Sequence, residues 1–95
     1  MADNSSMKNV SQVEQFGKNI SHVNQQMLAI FQKLRQQTQS VACVWDDDQF
    51  KHFSQDFDHD ILKNVQEISV KMEIFAKYVE EMVKIHRMAQ SARYY

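Results

Sequence analysis

Apolar residues recur along the first half of the chain at Val13, Phe16, Ile20, Val23, Met27, Ile30, Leu34, Val41 and Val44, mostly in steps of three and four. Such spacing places side chains on one stripe of a helix, and Gln37 interrupts it. A second series runs Phe50, Phe53, Phe57, Ile61, Val65, Ile68, Met72, Phe75, Val79, Met82, His86 and Ala89. From Val65 onward it alternates threes and fours like a coiled-coil seam. Between Phe57 and Val65 it drifts to consecutive fours. The pattern predicts two long helices, over about 8–44 and about 47–91, with a turn at 45–47 and a short tail at 92–95. At a rise of about 1.5 Å per residue, each helix of about 40 residues is a rod roughly 60 Å long.

The break between the two series reads Trp45-Asp46-Asp47-Asp48-Gln49-Phe50. Taking Asp46 as the N-cap puts Gln49 at the position that reaches back to the cap's own N–H, and Trp45 and Phe50 at the flanking positions of a hydrophobic staple. Asp47 and Asp48 then face the positive end of the helix dipole. Ser11 and Glu14 form a second capping-box pair for the first helix, with Asn4, Ser5 or Ser6 as earlier starts. Gly17 lies inside the first helical pattern, at a cost of about 1 kcal/mol relative to alanine. Either close helix approach or simple tolerance accounts for it.

Two helices joined by a sharp turn lie antiparallel along their stripes. One stripe per helix does not use all the apolar surface, because Val70, Ile74, Tyr78, Val83, Ile85, Met88, Leu28 and Phe31 fall outside it. The expected fold is therefore all-α: a single domain over 1–95, an antiparallel two-helix hairpin that dimerises into a four-helix bundle. The bundle seam comprises Phe16, Ile20, Val23, Met27, Leu34, Phe57, Ile61, Ile68, Met72, Phe75, Val79 and Met82.

Composition narrows the function. Of 95 residues none is proline and one is glycine, too little punctuation for a sandwich or barrel. The formal charge of −1 argues against nucleic-acid binding through a basic face. Charge is unevenly placed: six aspartates lie between Asp46 and Asp60 against Lys51 alone, whereas Lys84, Arg87 and Arg93 follow the last acid, Glu81. A hairpin puts acid at the bend and base at the open end. Cys43 stands alone, which excludes an intrachain disulfide. No run approaches the roughly 18 apolar residues of a membrane span, and the first ten residues lack a signal-peptide core. The expectation is a chain made in the cytoplasm, exported if at all without a cleaved leader.

Candidate chemistry is sparse. His52, Asp56 and His59 share one side of the second helix at i, i+4 and i+7, a spacing that metal ligands use, but no second ligand helix supports them and no metal site is assigned. No phosphate loop, nucleophile elbow or zinc-protease motif occurs. His86 falls in the apolar seam without a nucleophile in the pattern near it. The expectation is a non-enzymatic protein without a cofactor.

The tryptophan bend, followed by Phe50, Phe53 and Phe57 on the inward face of the second helix, resembles the WXG-type family. These are small bacterial helical-hairpin proteins of type VII secretion, related to early secreted antigens. The resemblance covers nearly the whole chain in length and helix plan. It implies a homodimer, or a dimer with a paralogous hairpin, and contact with secretion machinery through a bend formed by Trp45, Asp46, Asp47, Gln49, Phe50 and Phe53. Two departures are visible: Asp47 stands where the family has glycine, and the residue four after Tyr78 is Met82, so the family's Tyr-x-x-x-Asp/Glu tail signal is not formed there. A coiled-coil adaptor or structural subunit that stays inside the cell is the alternative expectation.

Overall fold

The computed structural model describes residues 7–92, and every regular element among them is helical. Helix α1 spans Val10–Ala42, α2 spans Asp48–Asp56, a π-helical turn spans Phe57–Ile61, and α3 spans Leu62–Ala92. Early residues meet late ones: Glu14 with Arg87, Phe16 with Phe75, Asn24 with Ser69, Phe31 with Phe57, and Arg35 with Asp58. The π turn and α3 therefore run back along α1, in a body of 71 × 19 × 16 Å.

Helix starts differ from the capping boxes read in the sequence. Asn9, not Ser11, caps α1; its backbone is extended and its Oδ1 accepts the Gln12 N–H at 3.0 Å. The alternatives at Asn4, Ser5 and Ser6, and the tail beyond Ala92, lie outside the described residues. At the bend the cap is Asp47, one residue later than Asp46. Asp47 has φ −143° and ψ 129°, and its carboxylate accepts the Gln49 N–H at 2.8 Å. Asp47 thus holds the extended position from which a cap side chain faces the first turn. Asp46 turns outward to Lys51, with 2.9 Å between Oδ1 and Nζ. The positions that a hydrophobic staple would use thus carry an ion pair, and Trp45 and Phe50 stack with each ring one residue earlier in the chain than those positions.

The turn occupies 43–47, two residues longer than the expected 45–47. α1 ends as the Val44 and Trp45 N–H groups both reach the Val41 carbonyl, at 3.0 and 2.9 Å. No described residue has a positive φ, so the bend needs no glycine, and Asp47 in place of one costs nothing in the backbone.

The line buried between α1 and α3 consists of Val13, Gly17, Ile20, Asn24, Met27 and Phe31 against Val65, Ser69, Met72, Ala76, Val79 and Val83. This line is the contact between the two helices of one chain, and the residues expected in the bundle seam lie partly on it and partly beside it. Phe16, Val23, Leu34, Ile61, Ile68 and Phe75 stay largely exposed, whereas Val83, read as off the stripe, is the most covered apolar residue at 3% exposure. Small side chains explain the choice. A methyl added at Gly17 would sit 3.0 Å from Val79 Cγ1 and 3.9 Å from the Ala76 carbonyl, so the helices approach at Gly17 and Ala76 more closely than large residues allow. Gly17 is there for close approach.

Candidate interaction surface

The rotation of the contact line leaves one continuous apolar face. With successive residues about 100° apart, the Phe16–Val23–Ile30 side of α1 and the Ile68–Phe75–Met82 side of α3 lie on the same side of the pair. The Phe16 and Phe75 rings join the two halves edge to face, with centroids 5.8 Å apart. Ile20, Met27, Met72 and Val79 belong both to this face and to the buried line; Ile20 and Val79 are buried, Met27 and Met72 half-buried. Met82 is half-buried beside Phe75 on the face, and Phe57 is half-buried where it stacks on Phe31 at 6.4 Å. Leu34 and Ile61 extend the face toward the bend.

The opposite side of the pair is charged. Glu14, Lys18 and Ser21 of α1 face Glu73, Lys77, Glu80, Lys84 and Arg87 of α3 across a shallow groove floored by Gly17, Ala76 and Val83. Arg87 grips Glu14 with two hydrogen bonds, 3.1 and 3.2 Å, and this bonding and charge hold the Glu14 carboxyl below its ordinary pKa. Two faces of one narrow rod therefore differ in kind, one greasy and one salted.

At the bend, Trp45 and Phe50 stack at 4.7 Å between centroids and 24° between planes. The indole is nonetheless 52% exposed, so it shields Phe50 without being enclosed itself. Val44 and Phe53, at 85% and 69% exposure, stand bare beside it, and Asp48, Gln49, His52 and Phe53 line a slight hollow. The bend residues singled out in the sequence are thus neighbours, but Gln49 serves through its backbone N–H and Asp46 through Lys51. The Lys51 hydrogen bond and charge also lower the Asp46 pKa.

The His52–Asp56–His59 series does not converge. His52 Nε2 lies 3.6 Å from Asp56 Oδ2, but His59 Nδ1 lies 2.8 Å from Asp60 Oδ1, which by hydrogen bonding and charge raises the His59 pKa. The π turn begins between Asp56 and His59 and rotates the latter off the α-helical face. Among the described residues no three His, Cys, Asp or Glu side chains are grouped to hold a metal ion. None of their helices is long and apolar enough to cross a membrane.

Sequence reasoning missed two polar residues in the contact line, Asn24 and Ser69. Asn24 is 3% exposed and donates from Nδ2 to the Ser69 carbonyl at 3.3 Å, while its Oδ1 has no partner among the described residues. His86 likewise holds a covered Nε2 without a partner. A signal for Asn24 existed: it stands four residues after Ile20 and seven after Gly17, on the line that small residues define.

No family model, curated protein or solved structure matches this chain.

Proposed function

We propose that the chain is a non-enzymatic protein–protein interaction module: a helical hairpin that pairs, through its apolar face, with a second copy or a paralogous hairpin to make a four-helix bundle. The observation that carries this reading is the direction of the heptad stripe. On α1 the stripe Val13–Phe16–Ile20–Val23–Met27–Ile30–Leu34 is centred about 50° from the buried line, counted at about 100° per residue. On α3 the stripe Val65–Ile68–Met72–Phe75–Val79–Met82 is displaced by a similar angle toward the same side. A helix in a two-stranded coil aims its stripe at its partner. A helix in a square bundle aims it at the central axis, about 45° from each neighbour. The displacement fits the second arrangement.

Surface area supports the same reading. The chain exposes 7801 Å², whereas a globular monomer of its mass exposes about 5700 Å². The excess, about 2000 Å² per chain, is of the size that obligate dimers cover.

Phe75→Asp tests the pairing. Phe75 is 47% exposed in the single chain, so a carboxylate there is tolerated alone but buried without a partner in a bundle. The expected result is loss of the dimer in sedimentation, with an unchanged sedimentation profile and melting curve as the refuting one.

Within this class, the leading role is that of a WXG-type small protein of type VII secretion, as substrate or as partner. The bend carries this part: an exposed Trp45 with bare Phe53 is available for recognition as well as for holding the turn. Met82 four residues after Tyr78, where the secretion signal has an acid, favours the second reading, an adaptor retained in the cell. Appearance of the protein in medium from intact cells, abolished by truncation at Lys84, supports export; retention in the cells supports the adaptor.

A further inference from the structure

Helix α3 carries a third apolar stripe that the bundle leaves uncovered. Val70, Ile74, Tyr78, Ile85 and Met88 are all exposed, and their spacing sets them on the side of α3 pointing away from α1. The corresponding outer side of α1 is polar, with Gln15, His22, Gln26, Lys33 and Gln36. A helix apolar on one side suits a surface; α3 is apolar on three, the property of a helix covered within an assembly.

The charges along this stripe identify what covers it. Glu73, Lys77 and Lys84 flank it on the side that also borders the groove toward α1, Glu81 lies at its margin, and none of the four takes part in an ion pair among the described residues. Their order is acid, base, acid, base. Laid against itself in the opposite direction, this edge puts Lys77 beside the second copy's Glu81 and Glu73 beside the second copy's Lys84. By the twofold, Glu81 and Lys84 are satisfied in turn. The same register sets Val70 opposite Met88 and Ile74 opposite Ile85. A twofold that ran the helices parallel would put the two copies' charged edges on opposite flanks of the contact, where they do not meet. An isologous contact requires the self-complementarity of the antiparallel register.

We propose that the outer face of α3 is a second self-association surface, taking the same face of another copy in antiparallel register with Lys77 against Glu81 and Glu73 against Lys84. It uses a side of α3 that the heptad stripe does not, and it joins bundles into assemblies of more than two chains.

Sedimentation equilibrium of the full chain at high micromolar concentration tests it, with Lys77→Glu, the swap Lys77→Glu/Glu81→Lys, and Phe75→Asp as variants. The expected wild-type mass exceeds two chains and falls as salt rises. Lys77→Glu, which opposes acid to acid on an exposed edge, reduces it to two chains, and the swap restores it. A wild-type mass unmoved by Lys77→Glu, or a swap that fails to restore the assembly, overturns the proposal. Failure of the heptad-stripe reading looks different: Phe75→Asp then leaves the mass unchanged while Lys77→Glu still halves it.

Discussion

Replacing Trp45 by alanine measures how far the bend depends on an indole that is stacked but not enclosed. A large aromatic side chain covers roughly 150–250 Å² when fully buried. Trp45 is 52% exposed, so the area lost is about 100 Å², or about 2.5 kcal/mol at 25 cal/mol per Å². A compact unfolded chain already hides part of that, lowering the figure to just under 2 kcal/mol. Loss of the Phe50 stack adds about 0.5 kcal/mol. The expected destabilisation is about 2.5 kcal/mol, below the roughly 3–5 kcal/mol of a fully buried aromatic. Urea unfolding followed by far-ultraviolet circular dichroism reads it, at one fixed chain concentration because the proposed pairing would shift the midpoint. Since Trp45 is the only tryptophan, quenching of native fluorescence by acrylamide reports the same ring directly. A loss of about 4 kcal/mol or more, or an indole shielded from quencher, would show the ring enclosed and refute the reasoning; a loss below about 0.5 kcal/mol would remove the stack as a stabilising contact.

Val83→Ala should cost about 2 kcal/mol, since it removes two fully covered carbons and leaves a gap between close-packed helices; chemical denaturation showing no change would place Val83 outside the contact line. Gly17→Leu drives a side chain into Val79, whose Cγ1 lies 3.0 Å from where even a methyl would stand. Better helix propensity returns about 1 kcal/mol, but overpacking costs about 1–3 kcal/mol and pushes α1 and α3 apart; a melting temperature above wild type would contradict the close approach. Glu14 has a folded pKa depressed chiefly by hydrogen bonding and charge from Arg87. Its contribution is therefore present above the ordinary glutamate pKa and disappears as pH falls through the folded value. Glu14→Gln should flatten the acid limb of the stability–pH curve, and an unaltered limb would show that the pair contributes nothing there.

What the residues disclosed before any coordinates depends on which physical signal each feature sends. Absence of proline and the run of threes and fours specify helices strongly, because backbone and burial ask for the same pattern. The bend was legible from Trp45 to Phe50, since a triplet of aspartates is poor within a helix and good at its start. Which aspartate caps was not legible: Asp46 and Asp47 have the same side chain, and Lys51, one turn on, claims the first by charge. The line along which the two helices of one chain meet was not legible for a related reason. Hydrophobicity ranks Phe16 and Phe75 above Gly17 and Ala76, but two helices meet where residues are small, and Asn24 and Ser69 share that line because it is narrow. The heptad stripe states which way each helix points in an assembly; it does not state which neighbour is its own chain.

The drift to consecutive fours at Phe57, Ile61 and Val65 has a structural counterpart of its own. In an α-helix, side chains four apart advance by about 40° beyond a full turn, so three successive fours carry the line well round the axis. A π turn holds more residues per turn and brings fours back toward one side. The Phe57–Ile61 turn does this, and the Leu62 N–H reaches back to the Phe57 carbonyl, five residues earlier. It is anchored on both sides: Phe57 stacks on Phe31, and Asp58 pairs with Arg35 at 3.3 Å. With this insertion Phe57 keeps its place against α1, and Val65 begins the buried line of α3. The same extra residue turns His59 away from His52 and Asp56. One local change of winding thus accounts for an irregular apolar spacing and for the failure of a ligand series that assumes a uniform helix.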